Sequence, residues 1–138
     1  MTSGFQQMAL ITRAMAHPVR LQIVDVLAHE GEACVCHLEN RLGCRQAYLS
    51  QHLARMRLGG VVKAHRAGLN VYYSLADESV AEVFQAAAHA AERLASRGGK
   101  GRGGRSVRRL PAGPCPCPKC ATAQKVLHAQ SIPAPNGA

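Results

Sequence analysis

Apolar residues recur at helical spacing along most of the first 95 positions. Phe5, Met8, Ile11 and Met15 stand three or four residues apart and predict a first helix. His17-Pro18 punctuates it, and a proline suits the first position of the helix that follows. Val19, Ile23, Val26 and Leu27 line one face of that second helix, and Glu30-Gly31 ends it. Val35, Leu38 and Leu42 predict a short third helix, and Gly43 opens a tight turn. Leu49, Leu53 and Met56 mark a fourth helix that stops at Gly59-Gly60. Two short helices joined by a glycine-containing turn make a helix-turn-helix.

The period then changes. Val71, Tyr73 and Leu75 alternate with other residues, and Ala67-Gly68-Leu69-Asn70 separates them from Val61 to Arg66. This predicts a β-hairpin placed as a wing directly after the fourth helix. A fifth helix is expected over residues 77–95, with the stripe Val80, Phe84, Ala87, Ala91 and Leu94. No later element is available to cover that stripe, so it reads as a homodimer seam shared with the first helix. The fold class is mainly α with a β-hairpin: a dimeric winged helix-turn-helix followed by a disordered basic tail.

Charge divides the chain further. Residues 1–95 carry nine Lys/Arg against all eight acids, while residues 96–138 carry eight Lys/Arg and no acid. The expected domain, 1–95, is thus nearly neutral. The Gly/Arg-rich linker, 96–113, cannot bury apolar area, and suits a polyanion such as nucleic acid. Residues 114–138 form a cysteine-containing tail. No run reaches the ~18 apolar residues of a membrane span. The N-terminus lacks a charged start followed by an apolar run, so a cytoplasmic location without membrane partners is expected. In that reducing compartment the six cysteines read as metal ligands or redox groups rather than structural disulfides.

The inner face of the fourth helix uses Leu49, Leu53 and Met56. That leaves Gln46, Ala47, Tyr48, Ser50, Gln51 and Arg55 pointing outward. Gln and Arg suit adenine and guanine edges, and a small Ala admits a thymine methyl. Tyr48 and Ser50 can hold phosphates, as can Arg45 just before the helix and Arg66 near the wing tip. A plain solvated helix face is the competing reading. Double-stranded DNA with a near-palindromic operator is the expected partner.

Cys34 and Cys36 flank Val35 at the start of the third helix, where the dipole favours thiolate. Thiolates bind soft ions. On a regular helix, i and i+2 lie ~200° apart, so both reach one ion only if the first turn unwinds or the ion sits at its end. Alternatively, one of the two is a small buried hydrophobe. Cys115, Cys117 and Cys120 lie within six residues, interleaved with prolines, and have no core to fill. The expected cofactor is a soft metal or metalloid ion on these thiolates: As(III), Cd(II), Pb(II) or Zn(II). Cys44 reads as packing, and His37 and His52 as hydrogen-bonded helix residues. His89 and Glu92 have zinc-compatible spacing, but nothing nearby completes four ligands.

Taken together, these motifs resemble the ArsR/SmtB family of winged-helix metal-sensing repressors over residues 5–95. Ala16-His17-Pro18-Val19-Arg20-Leu21 resembles the entry to the family's second helix. Glu32-Ala33-Cys34-Val35-Cys36-His37-Leu38 resembles the thiolate box of its arsenic, cadmium and lead sensors. The segment from Leu49 to Arg57 resembles its recognition helix, and Val71-Tyr72-Tyr73-Ser74-Leu75 its returning wing strand. Three departures stand out. Glu39 occupies the position of the arsenic sensors' third Cys, and the N-terminus holds no extra thiols. Asp77, Ser79, Ala90 and Arg93 occupy the zinc sensors' ligand positions, so that site is absent. The resemblance implies a repressor released from DNA by a thiolate-bound ion. The alternatives are a thiol-redox repressor of the same fold and a thiol metal carrier. No Ser/His/Asp or Cys/His grouping and no phosphate loop suggest catalysis, so no enzyme activity is expected.

Overall fold

The computed structural model describes residues 3–98. Helix α1 (Gly4–Met15) opens with a capping box between Ser3 and Gln6. In α2 (Pro18–Glu30), Nδ1 of His17 accepts a hydrogen bond from the Val19 amide and caps the first turn. Gly31, at φ 82°, ends α2 and turns the chain into β1 (Glu32–Cys34). Helix α3 (Val35–Leu42) follows without a break, and Gly43 closes it in the left-handed conformation that a C-terminal turn favours. Helix α4 (Gln46–Leu58), the hairpin β2 (Val62–Ala67) and β3 (Asn70–Leu75), and α5 (Glu78–Arg97) complete the order.

The three strands form one antiparallel sheet in the order β1-β3-β2. Cys34 pairs with Tyr72, which pairs with His65 on its other side. Ala67 pairs with Asn70, leaving the two-residue loop Gly68-Leu69. Gly68 sits at φ 62°, a value that suits a glycine opening a tight hairpin loop. The hairpin is therefore present as expected. The third strand was not anticipated: three residues between two helices are too few to show a period of two.

The core lies between α2, α3, α4 and the sheet. Ile23, Val24, Leu27, Leu38, Leu49, Leu53, Met56 and Val61 are all fully buried. Burying each such side chain contributes ~1.5–3 kcal/mol, and together they fix the angle between α3 and α4. The α5 stripe divides in two. Val80 is buried and Phe84 packs against the core, so these two serve the protomer itself. Ala87, Ala91 and Leu94 remain exposed, the last at 67%. Helix α1 behaves likewise: Met15 is buried, whereas Phe5 is 83% exposed. The apolar periodicity marks both helices correctly but cannot say where the protomer's own core stops. Helix α5 continues through Ser96 and Arg97, and no described helix is long and apolar enough to cross a membrane.

Candidate functional site

Cys34 is the last residue of β1 and the N-cap of α3, with φ −80° and ψ 165°. Because its backbone is extended, the ~200° separation of a regular helix does not apply. Its Sγ lies 3.5 Å from Sγ of Cys36. Two sulfurs that each bind one tetrahedral zinc at ~2.3 Å stand about 3.8 Å apart, so this spacing fits two ligands of a single soft ion. Cys34 is 5% exposed, covered by Tyr72, and Cys36 packs against both. Among the described residues, no group of three or more His, Cys, Asp or Glu could hold a metal. The pair thus offers two of the three or four ligands such an ion wants. Cys115, Cys117 and Cys120 lie outside the described residues.

The box is tied to three elements. Glu30, at the end of α2, accepts from His37 and Arg41 of α3, so it latches α3 beside the thiols. The ladder between Cys34 and Tyr72 joins the box to the wing sheet. The three-residue turn Gly43-Cys44-Arg45 joins α3 to α4. Cys44 packs against the core, as expected. The Glu30 latch was missed, because a carboxylate seven residues before a histidine has no distinctive spacing.

On α4, Gln46, Ala47, Tyr48, Gln51 and Arg55 are exposed and Ser50 is half-buried. Arg45 is the N-cap but makes no side-chain cap hydrogen bond, so its guanidinium is not committed to the helix. Arg66 is exposed on β2, one residue from the hairpin end. Beneath this face lies His52, which departs from expectation. It is 7% exposed, and its Nδ1 is buried with no hydrogen-bond partner among the described residues. Rings hold it instead: His17 at 4.4 Å between centroids and Tyr48 edge-on at 4.6 Å. Burial, then the charges of His17, Arg20 and Arg55, lower its pKa, so the ring is held neutral.

On α5, Asp77 and Ser79 serve the helix rather than a metal. The Asp77 carboxylate accepts from both the amide and the hydroxyl of Ser79 and caps the first turn. These hydrogen bonds hold its pKa below the usual carboxylate value. His89 lies on an exposed stretch of α5.

The chain matches the family of bacterial regulatory proteins called the arsR family over residues 17–64, from the α2 cap into the first wing strand. It is similar to a transcriptional repressor SmtB homolog of Synechocystis, 40% identical over 80 residues covering 58% of this chain and 60% of the relative. It is also similar to a cadmium resistance transcriptional regulatory protein CadC homolog of Staphylococcus aureus, 37% identical over 57% of this chain and 65% of the relative. The matched stretches thus span somewhat under two thirds of these two relatives. Among solved structures it resembles the homodimeric winged helix-turn-helix DNA-binding domain of a possible ArsR-family regulator from Mycobacterium bovis. That likeness has a TM-score of 0.59 and 35% identity, covering 64% of this chain and 82% of that one. With the fold, the helix-turn-helix and most of a solved relative matched, the chain belongs to the ArsR family of DNA-binding transcription regulators, which are not enzymes.

Proposed function

We propose that this protein is a homodimeric transcriptional repressor that leaves its operator when a soft metal or metalloid ion is held by Cys34 and Cys36. The observation that carries the reading is the 3.5 Å approach of the two sulfurs at the junction of β1 and α3. The S. aureus relative, a cadmium resistance regulator, favours an ion of this class. When bound, the ion supplies a centre that three or four thiolates share.

The chain's own residues then do the switching. Cys34 is part of the wing sheet through its pairing with Tyr72, and Cys36 is part of α3. The two sulfurs already stand at about the spacing one ion needs, so it is the recruitment of a further donor to that ion that moves β1 against α3. Because α3 is joined to α4 by three residues, that movement changes the angle between the recognition helix and the wing. Two such units in a dimer must match half-sites one helical turn apart, so a small change in angle costs affinity. Gln46 and Gln51 are assigned to base edges; Arg45, Ser50, Tyr48 and Arg66 to the backbone, and Ala47 to close approach.

The further donor is assigned to the tail cysteines. Cys115, Cys117 and Cys120 are the remaining clustered thiols, and Glu39 is a hard ligand poorly matched to arsenic. The test is metal stoichiometry and thiolate charge-transfer absorption in the full chain, with As(III), Cd(II), Pb(II) and Zn(II) in turn. One ion per protomer is expected, lost in Cys34→Ser/Cys36→Ser and weakened in the tail triple serine variant. An undiminished separate site in each variant contradicts the shared site. Operator release by peroxide, with no response to any ion, favours the thiol-redox reading.

A further inference from the structure

Where α1, α2 and the end of α4 meet there is an open cleft of about 390 Å³, lined by Leu10, Arg13, Ala14, Arg20, Arg55 and Leu58. Arg20 is anchored there: its Nη1 donates to the carbonyls of Arg13 at 3.4 Å and Ala14 at 3.2 Å, at the end of α1. Its Nε is buried and has no hydrogen-bond partner among the described residues. None of the three arginines forms an ion pair with a carboxylate among the described residues. Three arginines therefore line a largely apolar cleft with no acidic partner among the described residues. Arg20 also stands in the first turn of α2, where the helix dipole adds to the positive field. That field is felt nearby, since Arg20 and Arg55 both help to lower the pKa of His52.

Arginines without an acidic partner favour an oxyanion, which they bind through charge-assisted hydrogen bonds. We infer that Arg13, Arg20 and Arg55 form a seat for one backbone phosphate of bound DNA, with Leu10, Ala14 and Leu58 against the attached sugar. The inference rests on DNA binding through α4. It favours DNA over a free anion because Arg55 follows Gln51 by four residues. Such neighbours stand ~5–6 Å apart on one helix face, so a duplex read by Gln51 passes the cleft. It also removes Arg55 from the base edges and gives it to the phosphate. On α1, Leu10 lies about 140–160° around the helix from Phe5 and Met8, so a partner covering those two leaves the Leu10 side of the cleft open.

The test uses the full chain and an operator duplex, with affinity measured by fluorescence anisotropy across a salt series. Arg13→Gln/Arg55→Gln, both at exposed positions, should lower the salt slope by about 0.9, the contribution of one phosphate. Its ratio of specific to non-specific binding should stay the same. In a scan of single neutral methylphosphonates through the half-site, one position should weaken the wild type and leave the double variant unchanged. An unchanged slope, or no position with that loss of coupling, overturns the inference. Inorganic phosphate is the second arm: saturable shifts of the arginine Nε resonances that vanish in the variant, with the salt slope intact, assign the seat to a free anion and overturn the DNA assignment. Gln51→Ala should do the reverse, lowering the specificity ratio at constant slope. If the wild type binds no duplex, both readings fall; if it binds and only the slope prediction fails, this one falls alone.

Discussion

Gly59 ends α4 against α1, and replacing it with alanine tests how tightly those helices are seated. A Cβ built there would stand 2.3 Å from Cβ of Ala14, far inside the ~3.5–4.0 Å of an ordinary carbon contact. Ala14 is 6% exposed and its methyl cannot rotate away, so one of the two helices must move. Gly59 has φ −77° and ψ −5°, which alanine adopts freely, so backbone strain adds nothing. Restricting the unfolded chain stabilises by ~0.4–1 kcal/mol, while overpacking costs ~1–3 kcal/mol, so Gly59→Ala should destabilise by about 1–2 kcal/mol. For a body of this size that is ~4–8 °C in Tm per kcal/mol. The assay is urea and thermal unfolding followed by circular dichroism. Ala14→Gly should itself cost ~1 kcal/mol by helix propensity, yet relieve the clash. The double variant should therefore be more stable than the sum of the singles by ~1 kcal/mol or more, a coupling expected of residues in contact. A neutral or stabilising Gly59→Ala, or strict additivity, would refute the described approach of α1 to α4.

Three further outcomes follow from the same geometry. Gln51→Ala should cost ~1–3 kcal/mol on the specific operator and little on random duplex, measured by gel shift. Leu94→Glu with Phe5→Glu should turn a dimer into a monomer in sedimentation at micromolar concentration, since both residues lie on exposed apolar faces that the protomer's own core does not use; an unchanged dimer places the seam elsewhere. His52 has a folded pKa below the ordinary 6.5, so the unfolded chain takes up its proton first as pH falls. Stability should be full above about pH 6.5 and decline below it, and His52→Gln should flatten that limb in urea titrations at stepped pH.

Much of this fold is written locally. The α2 start is legible because Pro18 cannot continue α1 yet suits a first helical position, whereas the caps supplied by His17 and Asp77 show only in the structure. The hairpin shows through its alternation around Gly68. What is not legible depends on long-range pairing. Strand β1 exists because β3 supplies a partner for Glu32–Cys34, forty residues away in sequence. The same pairing gives Cys34 its extended backbone, so the convergence of the two sulfurs could not be read from a C-x-C spacing that a helix would separate. The Arg20 cleft is likewise hidden, since α1, α2 and α4 each contribute one arginine and no segment shows a motif.

The central claim is that thiol coordination at the β1–α3 junction controls DNA binding. Its most direct test is operator anisotropy of the reduced full chain during titration with Cd(II) and As(III), beside Cys34→Ser/Cys36→Ser. The wild type should release the duplex with one ion per protomer, while the double serine variant should bind the duplex equally well and keep it at every ion concentration. Release of the serine variant at the same ion concentration as the wild type would contradict the account.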